Sequence, residues 1–272
     1  MMLDSSSSSD SAAADAAALG GQVQPQRRAV GAVAHAQDGG AGGYTSGGWA
    51  RGKRSTMEDF YDVKITEIDG QARLLAYLVY LMVMEDHALL SETYQKTDTD
   101  FLESESNAFR DDGSTASTAV LLRHCLYVAN VSDSRAVISK SGKAMALSED
   151  HKPNRSDERR RIENAGGVVI WAGTWRVGGV LAMSHAFGNR LLKPFVVAEP
   201  EIQEEHVNGD LECLVLASDG LWDVVENEEA VSLAKTEDLP ESAARKLTEI
   251  AYSRGSADNI TCIVVQFHHD RG

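Results

Sequence analysis

Acidic residues stand at the ends of two hydrophobic segments that lie far apart in the chain. Asp219 ends the apolar run 214–218, and a second carboxylate, Asp223, follows four residues later. Asp258 comes just before the most hydrophobic strand predicted in the chain, over residues 259–267. Carboxylates at a strand end lie at the rim of a sheet, where they can bind a hard divalent cation such as Mg²⁺ or Mn²⁺. Two plainer interpretations are a helix cap after the first strand and a turn before the second.

A third charged segment combines a cation with paired acids. Arg54 is followed by Glu58 and Asp59, just ahead of a strand predicted over residues 61–68. The alternative interpretation is a solvated charged loop. Each of the three segments is weak evidence alone, and their order along the chain carries more information than any one of them.

Short β-rich runs bounded by turn residues dominate the chain from residue 49 onward, with a few amphipathic helices set apart from them. The predicted strands are residues 61–68, 116–122, 125–131, 136–139, 212–217 and 259–267. The predicted helices are residues 157–164, 228–234 and 241–254, the first and last ended by Gly166 and Gly255. Strands grouped apart from helices predict an α+β fold rather than a doubly wound sheet.

A chain of 272 residues with 43% hydrophobic content is long enough to form one large globular domain. Residues 1–48 are rich in Ser, Ala and Gly and poor in large apolar groups, so a disordered tail is predicted there. The domain is predicted at residues 49–268, followed by a short C-terminal tail at 269–272.

The formal net charge is -15, from 41 acidic against 26 basic residues, which disfavours nucleic acid and anionic membrane surfaces as partners. The longest apolar run, residues 74–84, is shorter than the ~20 residues of a membrane helix. No basic region precedes an apolar stretch near the N-terminus, so neither a secretory signal nor a transit peptide is predicted. A monomer in the cytoplasm, the nucleus or both is expected.

The three cysteines, Cys125, Cys213 and Cys262, each lie in or beside an apolar run and form no CxxC pair. They are predicted to be buried thiols in a reducing compartment rather than ligands of zinc or members of a disulfide framework. His124 and His206 are interpreted as packed or surface residues rather than metal ligands.

The three charged segments occur together in the type 2C metal-dependent protein serine/threonine phosphatases, and the chain resembles a plant member of that family over residues 48–268. Four further motifs support the resemblance: Asp112-Gly-Ser-Thr-Ala116, Val128-Ala-Asn-Val-Ser-Asp-Ser-Arg135, Glu149-Asp-His-Lys-Pro153 and Arg176-Val-Gly-Gly-Val-Leu-Ala-Met-Ser184. The resemblance implies a central sandwich of two antiparallel β-sheets flanked by helices, with a binuclear Mg²⁺ or Mn²⁺ site at one end of the sheets. It also implies phosphoprotein substrates, whose phosphoserine or phosphothreonine is hydrolysed by a metal-bridging water.

Individual roles follow from the resemblance at matching positions. Arg54 is expected to bind the substrate phosphate, a task suited to its planar paired donors, and Asp59 to support the metal ligands. The expected metal ligands, direct or through bound water, are Glu58, Asp219 and Asp258. Two further positions match an additional, weaker cation site in relatives, Asp133 and Asp223.

One family motif, Asp-Gly-His-Gly-Gly, is missing from the sequence. In its place the apolar run 74–84 is followed by Glu85, Asp86 and His87, and the family pattern resumes near residue 91. The end of one strand and much of the next helix are therefore predicted to be deleted, together with the Asp that bridges the two cations. Glu85, Asp86 and His87 are a candidate replacement, although residues 74–90 read equally well as a helix.

The missing motif leaves three hypotheses open. The chain is a protein serine/threonine phosphatase impaired by loss of the bridging Asp, or a catalytically silent relative that acts as a phosphoprotein-binding or regulatory module. The third hypothesis is an alternative transcript whose shortened product folds poorly. Hydrolysis of a phosphothreonine peptide that needs Mn²⁺ distinguishes the first from the other two.

Overall fold

The computed structural model describes residues 28–34, 49–50, 53–54, 58–68, 71–77, 87–104, 111–122 and 124–268. The strands in chain order are β1 (Arg28–Ala34), β2 (Trp49–Ala50), β3 (Asp62–Ile68), β4 (Gln71–Tyr77), β5 (Gly113–Ser114), β6 (Ala116–Leu122), β7 (Cys125–Val131), β8 (Arg135–Lys140), β9 (Lys143–Ala146), β10 (Val169–Trp171), β11 (Trp175–Val177), β12 (Phe187–Gly188), β13 (Glu201–His206), β14 (Leu211–Ala217) and β15 (Ile260–His268). The helices are α1 (His87–Ser104), α2 (Ser156–Asn164), α3 (Asp219–Trp222), α4 (Asn227–Thr236) and α5 (Pro240–Ser253).

The main strands form two antiparallel sheets. The first has the order β1-β15-β14-β8-β9, with β2 pairing the start of β15, and the second has the order β13-β7-β6-β4-β3. Short hairpins join β3 to β4, β6 to β7 and β8 to β9. Two small sheets, β10 with β11 and β5 with β12, are separate from them.

Strand β14 illustrates how the sequence builds the layers. Because successive side chains of a strand point to opposite faces, Cys213 and Val215 pack in the cluster that contains residues of α3, α4 and α5. Leu214 and Leu216 pack instead between the two sheets, against Leu126 of β7 and other residues of both sheets. Both faces of β14 are therefore covered, which explains why its sequence is apolar without alternation.

Helix α1 covers the opposite side of the second sheet. Its Tyr94 packs in one cluster with Ala116 of β6 and Ala129 of β7. The buried Tyr94 hydroxyl lies 3.0 Å from the Thr118 hydroxyl and donates to the Ala129 carbonyl at 3.1 Å. This polar group is therefore satisfied where it is buried, and the layers run helix, sheet, sheet, helix.

The predicted α+β fold, a sandwich of two antiparallel sheets flanked by helices, is confirmed. The predicted strands all occur with ends within one residue of expectation, and the predicted helices within two. Gly166 and Gly255 follow α2 and α5 with φ of 87° and 80°. Left-handed backbone of this kind suits glycine and ends a helix, as predicted.

Other elements differ from the sequence-based expectations. β1 lies inside residues 1–48, which were expected to form a disordered tail, and it pairs with β15 along its whole length. Residues 74–77 belong to strand β4 rather than to a helix, and α1 begins only at His87. β13 was not predicted, because an edge strand with the sequence Glu-Ile-Gln-Glu-Glu-His lacks an apolar run. The predicted C-terminal tail, 269–272, lies outside the described residues.

Candidate active site

The candidate site lies where β14 ends and β15 begins. These strands are antiparallel neighbours, so the end of β14 lies beside the start of β15. Asp219 and Asp258 therefore stand at the same end of these two strands. Ser218 joins the two strand ends: its hydroxyl donates to the Asn259 carbonyl at 3.1 Å and accepts from the Thr261 N–H at 3.0 Å. The backbone at this junction is therefore fixed before any ligand arrives.

The turn into α3 passes directly against the start of β15. A Cβ atom at Gly220 would lie only 2.0 Å from the Asn259 carbonyl oxygen, so no larger residue fits there without movement of the backbone. The backbone N–H of Asp223 donates to the Asp219 carbonyl at 2.9 Å, which closes this short helix. Asp219 and Asp223 are therefore held within one helical turn.

Arg54 is brought to this junction from a distant part of the chain. Its Nη2 donates to Asp258 Oδ2 at 2.6 Å, across 204 residues of sequence. The hydrogen bond and charge of Asp258 raise the pKa of Arg54, and the charges of Glu58 and Asp219 add to the effect. The Arg54 side chain is 52% exposed, so part of its guanidinium group faces solvent and is open to an incoming anion.

Glu58 and Asp59 are attached to the start of β15. The Glu58 backbone N–H donates to Asn259 Oδ1 at 2.7 Å, and the Thr261 hydroxyl donates to Asp59 Oδ2 at 2.9 Å. Burial raises the pKa of Asp59, although hydrogen bonding with Thr261 and Ser218 opposes this rise. Asp59 is thus held by protein groups, and Glu58 is an exposed residue.

Asp133, just beyond the end of β7, brings the second sheet to the site. Its carboxylate lies 2.5 Å from the Lys152 ammonium group. Burial lowers the pKa of Lys152, but the charges of Asp133 and Asp219 raise it overall. From the sequence, Lys152 was recognisable only as part of the motif 149–153 and not as a neighbour of these acids. Its ammonium group stands among carboxylates, where it neutralises part of their charge.

The acidic side chains repel one another across the site. The pKa of Asp219 is raised to about 7, first by burial and then by the charges of Asp133 and Asp258, with a smaller contribution from Asp223 and with Lys152 acting in the opposite direction. Burial also raises the pKa of Asp223. A divalent cation would remove this repulsion. The oxygen donors and the unrelieved charge therefore fit a hard cation such as Mg²⁺ or Mn²⁺.

The ligand set is nevertheless loose. Within the described part of the chain, no three acids of this site each bring an oxygen within 4.8 Å of the others. The acids thus interact through charge without forming a compact three-ligand group.

His87 does not join these acids. Its Nε2 lies 3.4 Å from Glu204 Oε2, and its ring rests edge-on against Tyr127 of β7. Tyr127 and Val131 are separated by ~13 Å of strand, and Asp133 lies beyond Val131. The suggested replacement role is therefore not supported for His87, while Glu85 and Asp86 lie outside the described residues.

Comparisons with known proteins agree with this fold. The family model of protein phosphatase 2C matches residues 50–260. A rice protein, "Probable protein phosphatase 2C member 13, mitochondrial", is 75% identical over 280 residues, covering 89% of this chain and 77% of that protein. "Probable protein phosphatase 2C 76" of Arabidopsis thaliana is 60% identical over 266 residues, covering 85% of this chain and 63% of that protein, so the chain spans less than two thirds of this relative.

Solved structures share the fold at low sequence identity. Serine-threonine phosphatase 2C from Toxoplasma gondii superposes with a TM-score of 0.66 at 21% identity, covering 89% of this chain and 99% of that chain. A C. elegans sex determining protein gives a TM-score of 0.71 at 21% identity, covering 90% of this chain and 65% of that chain.

The sandwich with acidic residues at one sheet edge has the architecture of a metal-dependent protein phosphatase. The chain belongs to the protein phosphatase 2C family. Members of this family are serine/threonine phosphatases, hydrolases that generally depend on Mg²⁺ or Mn²⁺. None of the helices described is both long enough and apolar enough to cross a membrane.

Proposed function

We propose that this chain hydrolyses phosphoserine and phosphothreonine in proteins at the junction of β14 and β15. The observation that carries the proposal is the set of mutually repelling acids around the partly buried Asp219, whose pKa is raised to about 7. We assign Asp219, Asp258 and Glu58 to bind Mg²⁺ or Mn²⁺, with Asp59 in support. The additional, weaker cation site is assigned to Asp133 and Asp223.

Other side chains of the site bind the phosphate, balance the charge of the acids and hold them in position. A bound divalent cation lowers the pKa of water and neutralises phosphoryl charge. Arg54 binds two of the phosphate oxygens through its exposed guanidinium edge. Lys152 balances the charge of Asp133 and Asp219, so that the acids remain together when no substrate is present. Ser218 and Thr261 keep the strand ends and Asp59 in place.

A recess beside the site suits a polar peptide. Lys152 is one of its lining residues, its volume is about 440 Å³, and it is open to solvent. Its lining is mostly polar or charged and includes Arg135, Asp150 and Arg155. We infer that residues flanking the phosphorylated side chain bind here, because a mixed-charge wall accommodates hydrophilic segments better than apolar ones.

We further propose that catalysis is impaired because the segment with the Asp-Gly-His-Gly-Gly motif is deleted. The alignment with the rice relative spans 280 residues, more than the 272 of this chain, although it covers only 89% of the chain. The relative therefore has residues without a counterpart here, in line with a deletion. Changes beside metal ligands typically cost ~10- to 100-fold, so loss of a bridging ligand should cost at least about 100-fold.

Phosphate release from a phosphothreonine peptide tests the proposal. The full chain is expected to need Mn²⁺ and to turn over more slowly than the rice relative under the same conditions. Asp219→Asn should abolish the Mn²⁺-dependent rate, whereas Asp238→Asn, at an exposed position between α4 and α5, should retain it. Absence of Mn²⁺-dependent release above a blank would rule out the hydrolase function.

The second candidate is a catalytically silent, phosphoprotein-binding or regulatory module. Two observations together favour it. Arg54 is half-exposed and can reach a phosphate, and the described acids beside it do not form the compact group of three ligands that would hold a metal ion. Fluorescence anisotropy with a labelled phosphothreonine peptide tests this function. Binding should weaken in Arg54→Ala but not in Lys53→Ala, the exposed neighbouring cation, and no phosphate should be released. Measurable specific turnover would eliminate this candidate.

For the location we propose the cytoplasm, the nucleus or both, with phosphoproteins as partners and a monomeric chain. The competing compartment is the mitochondrion, because the name of the rice relative places that protein there. A fluorescent fusion at the C-terminus, imaged beside a mitochondrial dye, separates these compartments. Light scattering is expected to give the 29.4 kDa mass of one chain.

A further inference from the structure

A cluster of metal-ligating side chains lies at the edge of the second sheet, apart from the acidic site. β13 is an edge strand, and it pairs with β7 so that His206 stands directly opposite Cys125. Glu204 lies two residues before His206 and therefore points to the same face of the sheet. Strand register alone thus brings a thiol, an imidazole and a carboxylate together.

The distances within this cluster are short. Cys125 Sγ lies 3.4 Å from His206 Nδ1, and the three side chains each bring a ligand atom within 4.8 Å of the other two. His87, the first residue of α1, lies beside this group of three, with its Nε2 3.4 Å from Glu204 Oε2, and a shift of its side chain toward Cys125 and His206 would add a fourth ligand. The His87 ring is supported edge-on by Tyr127, at 5.8 Å between ring centroids.

These separations agree with tetrahedral zinc coordination. Zn–S bonds of about 2.3 Å and Zn–N bonds of about 2.0–2.1 Å place sulfur and nitrogen ligands about 3.6 Å apart, and nitrogen and oxygen ligands about 3.4 Å apart. The two measured pairs are both at 3.4 Å. A direct hydrogen bond or ion pair between the same atoms has a similar length. The chemical types of the ligand atoms therefore carry the argument for a metal ion. Thiolate and imidazole together favour Zn²⁺ over Mg²⁺ or Mn²⁺.

The cluster is also accessible to an ion from solution. Cys125 is half-buried, and the other three side chains are exposed. An entering cation would displace the proton of the Cys125 thiol, since a metal binds the thiolate. Cys213 and Cys262 are fully buried, so Cys125 alone among the cysteines can bind such an ion.

We propose that Cys125, Glu204, His206 and His87 bind one Zn²⁺ ion that fastens the N-terminal end of α1 to the edge of the second sheet. Binding releases the thiol proton, and the thiolate and carboxylate together balance the charge of the ion. The site is separate from the acidic junction of β14 and β15 and does not depend on the hydrolase function.

Cobalt spectroscopy tests for thiolate coordination. The full chain, without a histidine tag and reduced by a phosphine, is titrated with Co²⁺ in excess Mg²⁺. One equivalent of Co²⁺ per chain should produce a sulfur-to-cobalt charge-transfer band, which added Zn²⁺ should remove. Cys125→Ser should abolish the band, and His206→Gln should weaken Zn²⁺ binding at least about 100-fold. His124→Gln, at an exposed histidine next to the cysteine, should change neither.

Thermal unfolding provides an independent measurement. Zn²⁺ should raise the unfolding midpoint of the full chain and of His124→Gln, because an ion that binds only the folded state stabilises it. With excess Mg²⁺ present to occupy the acidic site, the midpoint of Cys125→Ser should not respond to Zn²⁺, and that of His206→Gln should respond only at much higher Zn²⁺ concentrations. The proposal is overturned if the wild-type chain shows no charge-transfer band or if Cys125→Ser retains it. It is also overturned if Zn²⁺ shifts the unfolding midpoint of Cys125→Ser as much as that of the wild-type chain.

Discussion

Replacing Gly220 with alanine tests whether the turn after Asp219 and the start of β15 are packed as tightly as the structure indicates. The added methyl carbon would lie 2.0 Å from the Asn259 carbonyl oxygen and 2.9 Å from its carbonyl carbon. Both atoms are backbone, so a side-chain rotation cannot relieve the overlap. Alanine is favoured over glycine in a helix by about 1 kcal/mol. Overpacking against fixed atoms costs ~1 to 3 kcal/mol and occasionally more.

The clash should outweigh the helix preference, because the overlap is more than an ångström deep. We therefore expect Gly220→Ala to lower the free energy of unfolding by about 2 kcal/mol or more, a large part of the ~5 to 15 kcal/mol of a typical domain. Urea denaturation measures this difference. The control is Gly209→Ala, where an added Cβ meets nothing within 4 Å and a change within about 0.5 kcal/mol is expected. A Gly220→Ala protein as stable as the wild type would refute the packing argument.

Three further predictions concern the domain outside the site. Glu158→Gln should lower the free energy of unfolding in urea by about 2 to 4 kcal/mol, because it breaks a mostly buried ion pair. Glu163→Gln, in an exposed pair of the same helix, should change it by less than about 0.5 kcal/mol; equal effects would contradict this reasoning. Tyr94→Phe removes a buried, hydrogen-bonded hydroxyl and should cost about 1 kcal/mol in the same assay, and an unchanged value would show that this hydroxyl adds nothing. Burial lowers the pKa of His151, so the folded chain binds fewer protons than the unfolded chain. The resulting stability is present above the unfolded pKa of about 6.5 and is lost as pH falls through the lower folded value. Unfolding midpoints measured over a pH series should show a weaker fall toward low pH in His151→Gln than in the wild-type chain. The pH dependence of His124→Gln should match that of the wild-type chain.

Much of the fold was predictable because its central strands have continuous apolar sequences. β6 and β14 are buried on both faces, so their sequences stand out against polar neighbours and their ends are marked by turn residues. The edge strand β13 was not recognisable, since its alternate residues face solvent and are charged. β1 was missed for a related reason: a small-residue segment pairs well with β15 but has too few large side chains to signal a strand.

The acidic residues of the candidate site could be named from the sequence, but their arrangement in space could not. Asp219 and Asp258 were recognised from their positions at strand ends, and the strands do place them at one sheet edge. Local sequence contains no sign that Lys152 stands among these acids, because that contact depends on how the second sheet meets the first. The spacing of the acids, which decides how well they hold a cation, likewise depends on tertiary packing.

The amino-acid sequence by itself determined the α+β class and the acidic residues at strand ends, and its motifs identified the family, whose resemblance implied the two-sheet architecture; apolar runs and motifs are local patterns of side chains. Only the tertiary structure decided which distant residues meet. Arg54 pairs with Asp258 across 204 positions. Cys125 meets His206 across 81 positions, where the sequence had predicted a buried thiol and an unrelated histidine. Such contacts are set by strand register and sheet order, which no local window of sequence contains.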